Sequence, residues 1–390
     1  MIQVEQALAI IENNCPKMPI RKIKVRKSLG FILAEAIYSP IDMPPFRQSA
    51  MDGFAFLHSE LTQFEVIGTS QAGDYSNIAL EKNQAIRIFT GAYVPDNLDT
   101  VVMQEHTTVD DNTITIDKMP LCFANVRNQG EQIKENQLVL EKGTSINPAA
   151  IGFLACLGIT EIAVYAKPKV AIVVTGNELV KPGNHLPKGK IYESNSIMLE
   201  TALRGIGIQK TATFNVKDNL KATKKVLKNC LSDFDVVLVS GGISVGDYDF
   251  VKEALLSNGV EELFYKINQK PGKPLFFGKK DETIVFALPG NPASTLTSFY
   301  VYVLAALKKR MGFEAINLPK IKRKINIDFT NTSEKTLFLK AFYNEEKVSI
   351  LESQSSAMLN TFALANAFVC VPYDQENIKK DQEVMVIPIN

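Results

Sequence analysis

The stretch DVVLVSGGISVGDYDF, residues 235–250, joins an apolar run to a loop of small and acidic side chains. The run VVLV is apolar throughout, as in a strand that helices cover on both faces. Three glycines and two serines follow it before the first aromatic side chain, Tyr248. Glycine lets backbone N–H groups approach an anion closely. The stretch therefore predicts a buried strand of an α/β sheet that ends in an anion-binding loop.

Two other segments repeat this arrangement. TGNEL, residues 175–179, follows the apolar run VAIVV, and LPGNPAS, residues 288–294, follows TIVFA. Ligands of open α/β sheets bind at the carboxyl ends of the strands, so we expect the three loops to form one phosphate or nucleotide pocket. Three ordinary strand-to-helix turns are the alternative. The residues expected to contact the ligand are Thr175, Gly176, Ser240, Gly241, Gly242, Ser244, Gly246, Pro289, Gly290, Asn291, Pro292 and Ser294.

A lysine-rich segment precedes the last of these loops. Residues 266–280 contain five lysines, and two prolines stiffen the string KPGKP within them. Lys266, Lys270 and Lys273 on such a restrained loop would form a positive clamp for a phosphate or another oxyanion. A solvated surface loop is the alternative.

Four carboxylates lie near the predicted strand ends, namely Glu178, Asp218, Asp247 and Asp249. Carboxylate oxygens combined with substrate phosphates are the usual environment of Mg²⁺ in proteins. We expect Glu178 and Asp249 to bind the metal, with Asp218 as a third ligand. For Asp218 the alternative is a helix N-cap.

Composition excludes several classes of protein. A chain of 390 residues with 46% hydrophobic and 22% charged residues predicts a globular protein of several domains. A net charge of +1 argues against a general nucleic-acid binder. Five scattered cysteines and three histidines predict no zinc site and suit a reducing compartment. No apolar run reaches the ~20 residues that cross a bilayer, so we expect a cytoplasmic protein without a membrane partner.

The pattern along the chain predicts a multidomain α/β protein. VEQALAIIENN, SLGFILAEAI and PAAIGFLACLGI have helical spacing, whereas short runs broken by Gly, Pro and Asn predict strands elsewhere. In the central third, strands alternate with helices near residues 194–204, 220–231, 248–258 and 292–311. The expected units are a discontinuous helical linker domain (1–36 plus 130–167), an inserted small β domain (37–129), a doubly wound α/β domain (168–316) and a C-terminal β-barrel or sandwich (317–390).

Eight strings, in order along the chain, resemble those of the molybdopterin molybdenumtransferase family, whose eukaryotic relatives include the gephyrin E domain. They are SAMDGFA, RIFTGAYVP, VVMQE, TGNEL, IYESNS, SGGISVGDYD, KPGKPLFFG and LPGNPAS. The resemblance implies a homodimer that inserts molybdate into adenylylated molybdopterin and releases AMP, with Mg²⁺ or a similar divalent cation. It also implies transient contacts with an upstream adenylyltransferase and with molybdoenzyme targets.

The resemblance assigns roles that chemistry alone does not. Asp52 and Thr90 lie in segments whose composition is typical of turns. By resemblance, however, they match active-site positions of the family that complete the pocket across the dimer interface. The resemblance places the phosphate and pterin of the substrate at the SGGISVGDYD loop and molybdate near the three lysines. It also implies substrate contacts from Lys340 and Ser356 in the C-terminal domain.

The chain departs from the family pattern at three positions. Asn177 and Gln132 stand where the family commonly has a carboxylate, and Lys340 stands where it has an arginine. An alternative function is therefore a paralogue that binds or carries molybdopterin with weak turnover. The upstream adenylyltransferase step is a further alternative, but it would not need residues 1–167 or 320–390.

Overall fold

The computed structural model describes residues 1–75, 79–243 and 250–389. The predicted site residues Ser244, Gly246 and Asp249, and also Asp247, lie outside these ranges. The α-helices of the described residues are α1 (Val4–Asn14), α2 (Pro148–Cys156), α3 (Asn195–Gly205), α4 (Leu220–Asp233), α5 (Val251–Ser257), α6 (Pro292–Ser298), α7 (Leu304–Arg310) and α8 (Leu359–Leu364). None of these helices is long and apolar enough to span a membrane.

Helix starts follow from local sequence. The side chains of Asn147 and Asn219 accept hydrogen bonds from the first turns of α2 and α4, at 2.8 and 3.0 Å. Proline occupies the start of α2 and α6, where its missing N–H costs nothing. A π-helical segment, Phe299–Val303, joins α6 to α7, so the long helix predicted over residues 292–311 forms with one irregular turn.

The strands that precede the central sheet are β1 (Ile20–Lys24), β2 (Ile37–Tyr38), β3 (Gln48–Ser49), β4 (Gly53–Phe56), β5 (Gln63–Ser70), β6 (Gln84–Ile88), β7 (Thr100–Met103), β8 (Thr107–Asp110), β9 (Thr113–Ile116), β10 (Val126–Arg127), β11 (Leu138–Leu140) and β12 (Glu161–Tyr165). Six of them form one mixed sheet in the order β7-β4-β6-β5-β9-β8. The others form three antiparallel pairs, β1 with β12, β2 with β11 and β3 with β10.

The region predicted as a helical linker is less helical than expected. The string SLGFILAEAI forms turns, bends and isolated bridges instead of a helix, and Ile32 and Leu33 pair with Ser145 and Val164. Its apolar residues are buried in two different clusters, which a one-faced helix could not achieve: Leu33 packs with α2, and Ile32 packs beside Tyr165. Helix α1 forms as predicted, but it packs on α7.

The strands of the central part are β13 (Val170–Thr175), β14 (Leu179–Val180), β15 (Ile191–Tyr192), β16 (Thr211–Val216), β17 (Val236–Ser240), β18 (Glu261–Tyr265), β19 (Gln269–Lys270), β20 (Phe276–Lys280) and β21 (Thr283–Leu288). The central sheet has the order β16-β13-β17-β21-β20-β18, and its first four strands are parallel. Its two faces are both buried: Ile172 and Val174 join one apolar cluster, and Ala171 and Val173 join the other. The predicted doubly wound, mostly parallel sheet is confirmed.

The C-terminal strands are β22 (Ile321–Ile325), β23 (Phe329–Thr330), β24 (Thr336–Tyr343), β25 (Lys347–Ile350), β26 (Ala367–Val371), β27 (Asn377–Ile378) and β28 (Glu383–Pro388). Five of them close into a barrel in the order β24-β25-β22-β28-β26, because β24 also pairs with β26. Strand β19 adds to β24 in parallel, which ties the KPGKP segment to the barrel. The barrel expected from the sequence is confirmed.

Candidate active site

A cavity of about 460 Å³ opens at the carboxyl ends of β13, β17 and β21. It brings together eleven of the residues predicted from the sequence: Thr175, Gly176, Glu178, Asp218, Ser240, Gly241, Gly242, Pro289, Gly290, Asn291 and Pro292. The three glycine-bearing loops therefore converge on one place, as strand ends of a parallel sheet should.

The floor of the cavity requires glycine. At Gly241, φ is +92°, and a Cβ atom would lie 2.7 Å from the carbonyl oxygen of Thr175. At Gly242, φ is +63°, and a Cβ atom would lie 2.9 Å from the Thr175 hydroxyl. A Cβ atom on Gly290 would lie 3.6 Å from the Cα atom of Gly241, so two bare backbone segments face each other here. A ligand can approach the main chain of both loops.

Two polar atoms in this wall have no partner among the described residues. They are Oγ1 of Thr175 and Oδ1 of Asn195, and both are buried. The amide nitrogen of Asn195 is used, because it donates to Ser240 Oγ and to the carbonyl of Gly290, each at 2.8 Å. Leaving a buried polar atom unpaired costs about 1–3 kcal/mol. A ligand that reaches these two atoms would remove that cost.

Asn195 was not among the predicted site residues. It lies in the string IYESNS, which carried part of the family resemblance, but its position at the start of α3 gave no chemical reason to select it. Glu193, in the same string, accepts hydrogen bonds from the backbone N–H and the hydroxyl of Ser196. Glu193 thereby holds the first turn of α3 against the cavity.

Two of the three predicted metal ligands, Glu178 and Asp218, line the cavity. Asp218 accepts a hydrogen bond from the backbone N–H of Asn177 at 2.9 Å, and its own N–H donates to Asn177 Oδ1 at 3.2 Å. The helix-cap alternative for Asp218 is wrong, because Asn219 caps α4. In the described parts of the chain, no three His, Cys, Asp or Glu residues are grouped to hold a metal. Two carboxylates fit a divalent cation that also binds substrate phosphates.

The lysine segment reaches the cavity through Pro274, whereas Lys266, Lys270 and Lys273 are not among the described lining residues. The N–H of Ile267 donates to the carbonyl of Lys273 at 3.0 Å, so the segment closes as a tight loop. Lys270 and Lys273 are exposed. The structure therefore places these charges on a loop that contributes to the rim of the cavity.

The C-terminal domain contributes differently from the prediction. Lys340 is 3% exposed, and its ammonium donates to the carbonyls of Ser353, Ser355 and Met358 at 2.9, 3.3 and 2.9 Å. An ammonium has three hydrogens, and all three are used. The substrate contact predicted for Lys340 is thus replaced by a positioning role: it holds the loop of residues 353–358.

That loop holds the start of α6. The hydroxyl oxygen of Ser356 accepts a hydrogen bond from the side-chain amide of Asn291 at 2.9 Å. The backbone carbonyl of Ser356 accepts from the N–H groups of Ala293 and Ser294 at 3.1 and 3.3 Å. The sequence had predicted that Ser294 contacts the ligand. Its N–H is already used in this hydrogen bond and its side chain is buried, so neither group is available to a ligand. Ser356 acts on the cavity through Asn291.

Asp52 and Thr90 form a separate pair on the N-terminal mixed sheet. The backbone N–H and the hydroxyl of Thr90 donate to Asp52 Oδ1 at 2.7 and 2.8 Å. These bonds hold the pKa of Asp52 below its usual value, the backbone bond contributing most. Neither residue is among the described residues that line the cavity of the same chain.

Two further side chains, missed by sequence reasoning, build the surroundings of Asp52. Arg87 lies over the rings of Phe54 and Phe89 at 4.9 and 5.0 Å. Its guanidinium donates to the carbonyl of Gly53 at 3.2 Å and to the side chain of Gln104. Arg87 and Gln104 lie in the strings RIFTGAYVP and VVMQE, so the resemblance contained the signal.

Comparison with known proteins covers almost the whole chain. Residues 2–158 match the MoeA N-terminal region (domain I and II), residues 171–309 a probable molybdopterin binding domain, and residues 322–389 the MoeA C-terminal region (domain IV). A molybdopterin molybdenumtransferase of Staphylococcus epidermidis is 36% identical over 400 residues, which cover 99% of this chain and 95% of the relative. One from Haemophilus influenzae is 34% identical over 94% of this chain and 93% of the relative.

Solved structures agree with these matches. The molybdopterin biosynthesis moea protein from Pyrococcus horikosii superposes with a TM-score of 0.84 at 29% identity, and the match covers 100% of this chain and 99% of that one. A molybdenum cofactor biosynthesis protein from Pyrococcus furiosus has a TM-score of 0.63 at 20% identity, which shows a shared fold.

Proposed function

This chain belongs to the molybdopterin molybdenumtransferase family and is an enzyme of molybdenum cofactor biosynthesis, and from that premise we propose that it inserts molybdate into adenylylated molybdopterin and releases AMP. One observation carries the proposal. The bare backbones of Gly241 and Gly290 face each other in a cavity whose wall contains two buried, unpartnered polar atoms. Such a wall suits a polar ligand that carries phosphate.

The binding roles follow from the atoms that are free. Thr175 Oγ1 can donate a hydrogen bond to a phosphate or pterin oxygen, and Asn195 Oδ1 can accept one from a pterin N–H. Gly241 and Gly290 leave room for the ligand against the main chain. Asn195 orients the two loops through its bonds to Ser240 and Gly290, so it both positions the cavity and contacts the ligand.

Charge compensation is the second requirement, because substrate phosphates and molybdate are all anionic. Glu178 and Asp218 would hold Mg²⁺ or a similar divalent cation, which neutralises phosphate charge when bound. Asp249, predicted as a further ligand, lies outside the described residues. Lys266, Lys270 and Lys273 on the rim loop would attract molybdate, which has no hydrogen-bond donors of its own at neutral pH.

We propose that a second copy of the chain completes the site with its Asp52 and Thr90, since these residues do not line the cavity of their own chain. The pKa of Asp52 is lowered, so it is ionised at neutral pH and is a weak proton acceptor. It can hold and orient the water that attacks the molybdopterin phosphorus. The new P–O bond forms as the bond from that phosphorus to the bridging oxygen breaks, AMP leaves with the bridging oxygen, and the protons of the water pass to the phosphate products and the solvent. The four predicted units, the cytoplasmic location and the contacts with an upstream adenylyltransferase and molybdoenzyme targets remain part of this proposal.

Release of AMP tests the proposal. The purified protein with Mg²⁺ and adenylylated molybdopterin should release AMP only when molybdate is added. Glu178→Gln and Asp218→Asn should each lower the rate by about 10²-fold or more, because each removes charge at the phosphates. Glu253→Gln, an exposed carboxylate that pairs with Lys224, should leave the rate unchanged.

No AMP release with molybdate and Mg²⁺ present would reject the proposal, as would full activity of both cavity variants. ATP consumption with unmodified molybdopterin would instead identify the adenylyltransferase step.

A carrier function is the second candidate, and Asn177 and Gln132 motivate it. Asn177 braces Asp218 through two hydrogen bonds, and an aspartate there would keep the acceptor while adding a carboxylate. Tight pterin binding by the wild type, with turnover that rises sharply in the double variant Asn177→Asp/Gln132→Glu, would favour the carrier. Unchanged or lower turnover in that variant would favour the enzyme as it stands.

A further inference from the structure

A second cavity, of about 690 Å³, lies at the amino ends of the central strands. Pro168, just before β13, and Lys210, just before β16, both line it. Strand β13 has six residues, so the cavity is separated from the candidate active site by roughly 20 Å of sheet. Segments near Phe31 and Phe313 complete its wall.

The charged side chains that line this cavity are all positive. Six cationic side chains line it without a salt bridge to any residue in the described ranges: Arg21, Arg26, Lys27, Lys167, Lys210 and Lys308. A seventh, Arg204, pairs with Glu200 at 2.6 Å. No carboxylate occurs among the described lining residues. The whole chain has a net charge of only +1, so this concentration of positive charge is local.

Lys167 is the centre of the cluster. Its Nζ atom lies 4.5 Å from the centroid of the Phe31 ring, and the guanidinium carbon of Arg21 lies 5.2 Å from the same centroid. A Cβ atom on Gly207 would lie 2.3 Å from that Nζ, so glycine leaves room for the ammonium. Burial lowers the pKa of Lys167, and nearby Arg21 lowers it further. Burial also lowers the pKa of Lys308.

Lys167 and Lys308 are half-buried without a counterion among the described residues, whereas Arg21, Arg26, Lys27 and Lys210 are exposed. A half-buried cation without a counterion is costly, and a bound anion removes that cost. We propose that this basic cavity binds the linked phosphates of a small molecule with at least two phosphate groups. Its volume lies within the ~300–1,000 Å³ of small-molecule sites. Leu29 and Phe313 add apolar surface beside the cations. The low net charge of the chain disfavours nucleic acid.

Calorimetric titration of the full-length protein with sodium tripolyphosphate tests the proposal. Lys167→Gln and Lys308→Gln should each weaken binding about 10-fold or more, since each removes a charged hydrogen-bond donor to the phosphates. Lys210→Gln, at the exposed rim, gives a third variant in case a more buried one fails to fold. The double variant Lys225→Gln/Lys228→Gln removes charge outside the cavity and should bind like the wild type.

Titrations with ATP and with adenosine identify the source of the phosphates. ATP that binds more tightly than tripolyphosphate indicates a nucleotide site, and equal affinity indicates an inorganic or other phosphate chain. AMP release by Lys167→Gln should equal that of the wild type, so this proposal can fail while the proposed function stands.

Three results would overturn the site. One is a wild-type protein that does not bind tripolyphosphate. The second is a set of folded cavity variants that bind like the wild type. The third is binding that disappears in Lys270→Gln/Lys273→Gln instead, which would place the phosphates at the candidate active site. Binding of an acidic peptide in place of tripolyphosphate would also contradict it.

Discussion

Replacing Gly241 by alanine should damage both the fold and the cavity. At φ +92° a side chain is strained, and the new methyl carbon would lie 2.7 Å from the carbonyl oxygen of Thr175. The strained backbone costs about 1–3 kcal/mol, and the clash with a buried strand end adds about 1–3 kcal/mol more. We therefore expect Gly241→Ala to lower the free energy of unfolding by about 2–6 kcal/mol.

Gly290→Ala is the matched comparison. Its methyl carbon would lie 3.6 Å from the Cα atom of Gly241, which is ordinary contact, and Gly290 is not among the glycines with positive φ. Its stability should stay within about 0.5 kcal/mol of the wild type. The same methyl group covers main chain that both loops now leave bare at the cavity wall, so binding of adenylylated molybdopterin should weaken about 10-fold or more.

Urea denaturation and equilibrium binding measure the two effects separately. Gly205→Ala, where a Cβ atom would meet nothing within 4 Å, is the control for glycine replacement in general. Wild-type stability of Gly241→Ala would refute the steric reasoning. Wild-type affinity of a folded Gly290→Ala would show that the ligand does not contact this part of the cavity wall.

Three other predictions concern separate parts of the chain. Lys340→Met removes the ammonium and leaves its three carbonyl acceptors without a donor. The free energy of unfolding, measured by denaturation, should fall by about 2–4 kcal/mol. If Lys340 instead bound substrate, the variant would lose affinity at unchanged stability. The exposed thiol of Cys122 should react with a thiol reagent at pH 8. Cys15 is buried, and burial raises its pKa to about 12, so it should react only after denaturation. Rapid labelling of Cys15 in the native protein would contradict this. Thr90→Val removes a hydrogen bond that lowers the pKa of Asp52, so that pKa should rise. The acidic limb of the pH–rate profile should therefore move to higher pH. An unmoved limb would show that ionisation of Asp52 does not control the rate.

The central sheet was predictable because its strands are covered on both faces. Such strands must be apolar throughout, and the polar and glycine residues after them mark the carboxyl ends where a ligand binds. Gly241 and Gly290 could therefore be placed in one cavity from their positions after β17 and β21. The boundaries of the four units remain a prediction.

Other features depend on contacts between distant segments, which periodicity does not report. SLGFILAEAI has helical spacing, yet Ile32 and Leu33 are buried on opposite sides by different partners. Lys340 looks like a ligand-binding cation until its three carbonyl acceptors are seen. The cationic cavity around Lys167 combines residues that lie nearly 300 positions apart, from Arg21 to Lys308.

Complementation between two inactive variants tests most directly whether the cavity and Asp52 of a second copy form one active site. Asp52→Ala and Glu178→Gln should each be inactive alone. Co-expressed at equal levels, they should form mixed dimers as about half of the population, each with one intact site, and so recover about a quarter of wild-type AMP release. Activity of the mixture that stays at the level of the separate variants would contradict a site shared between subunits.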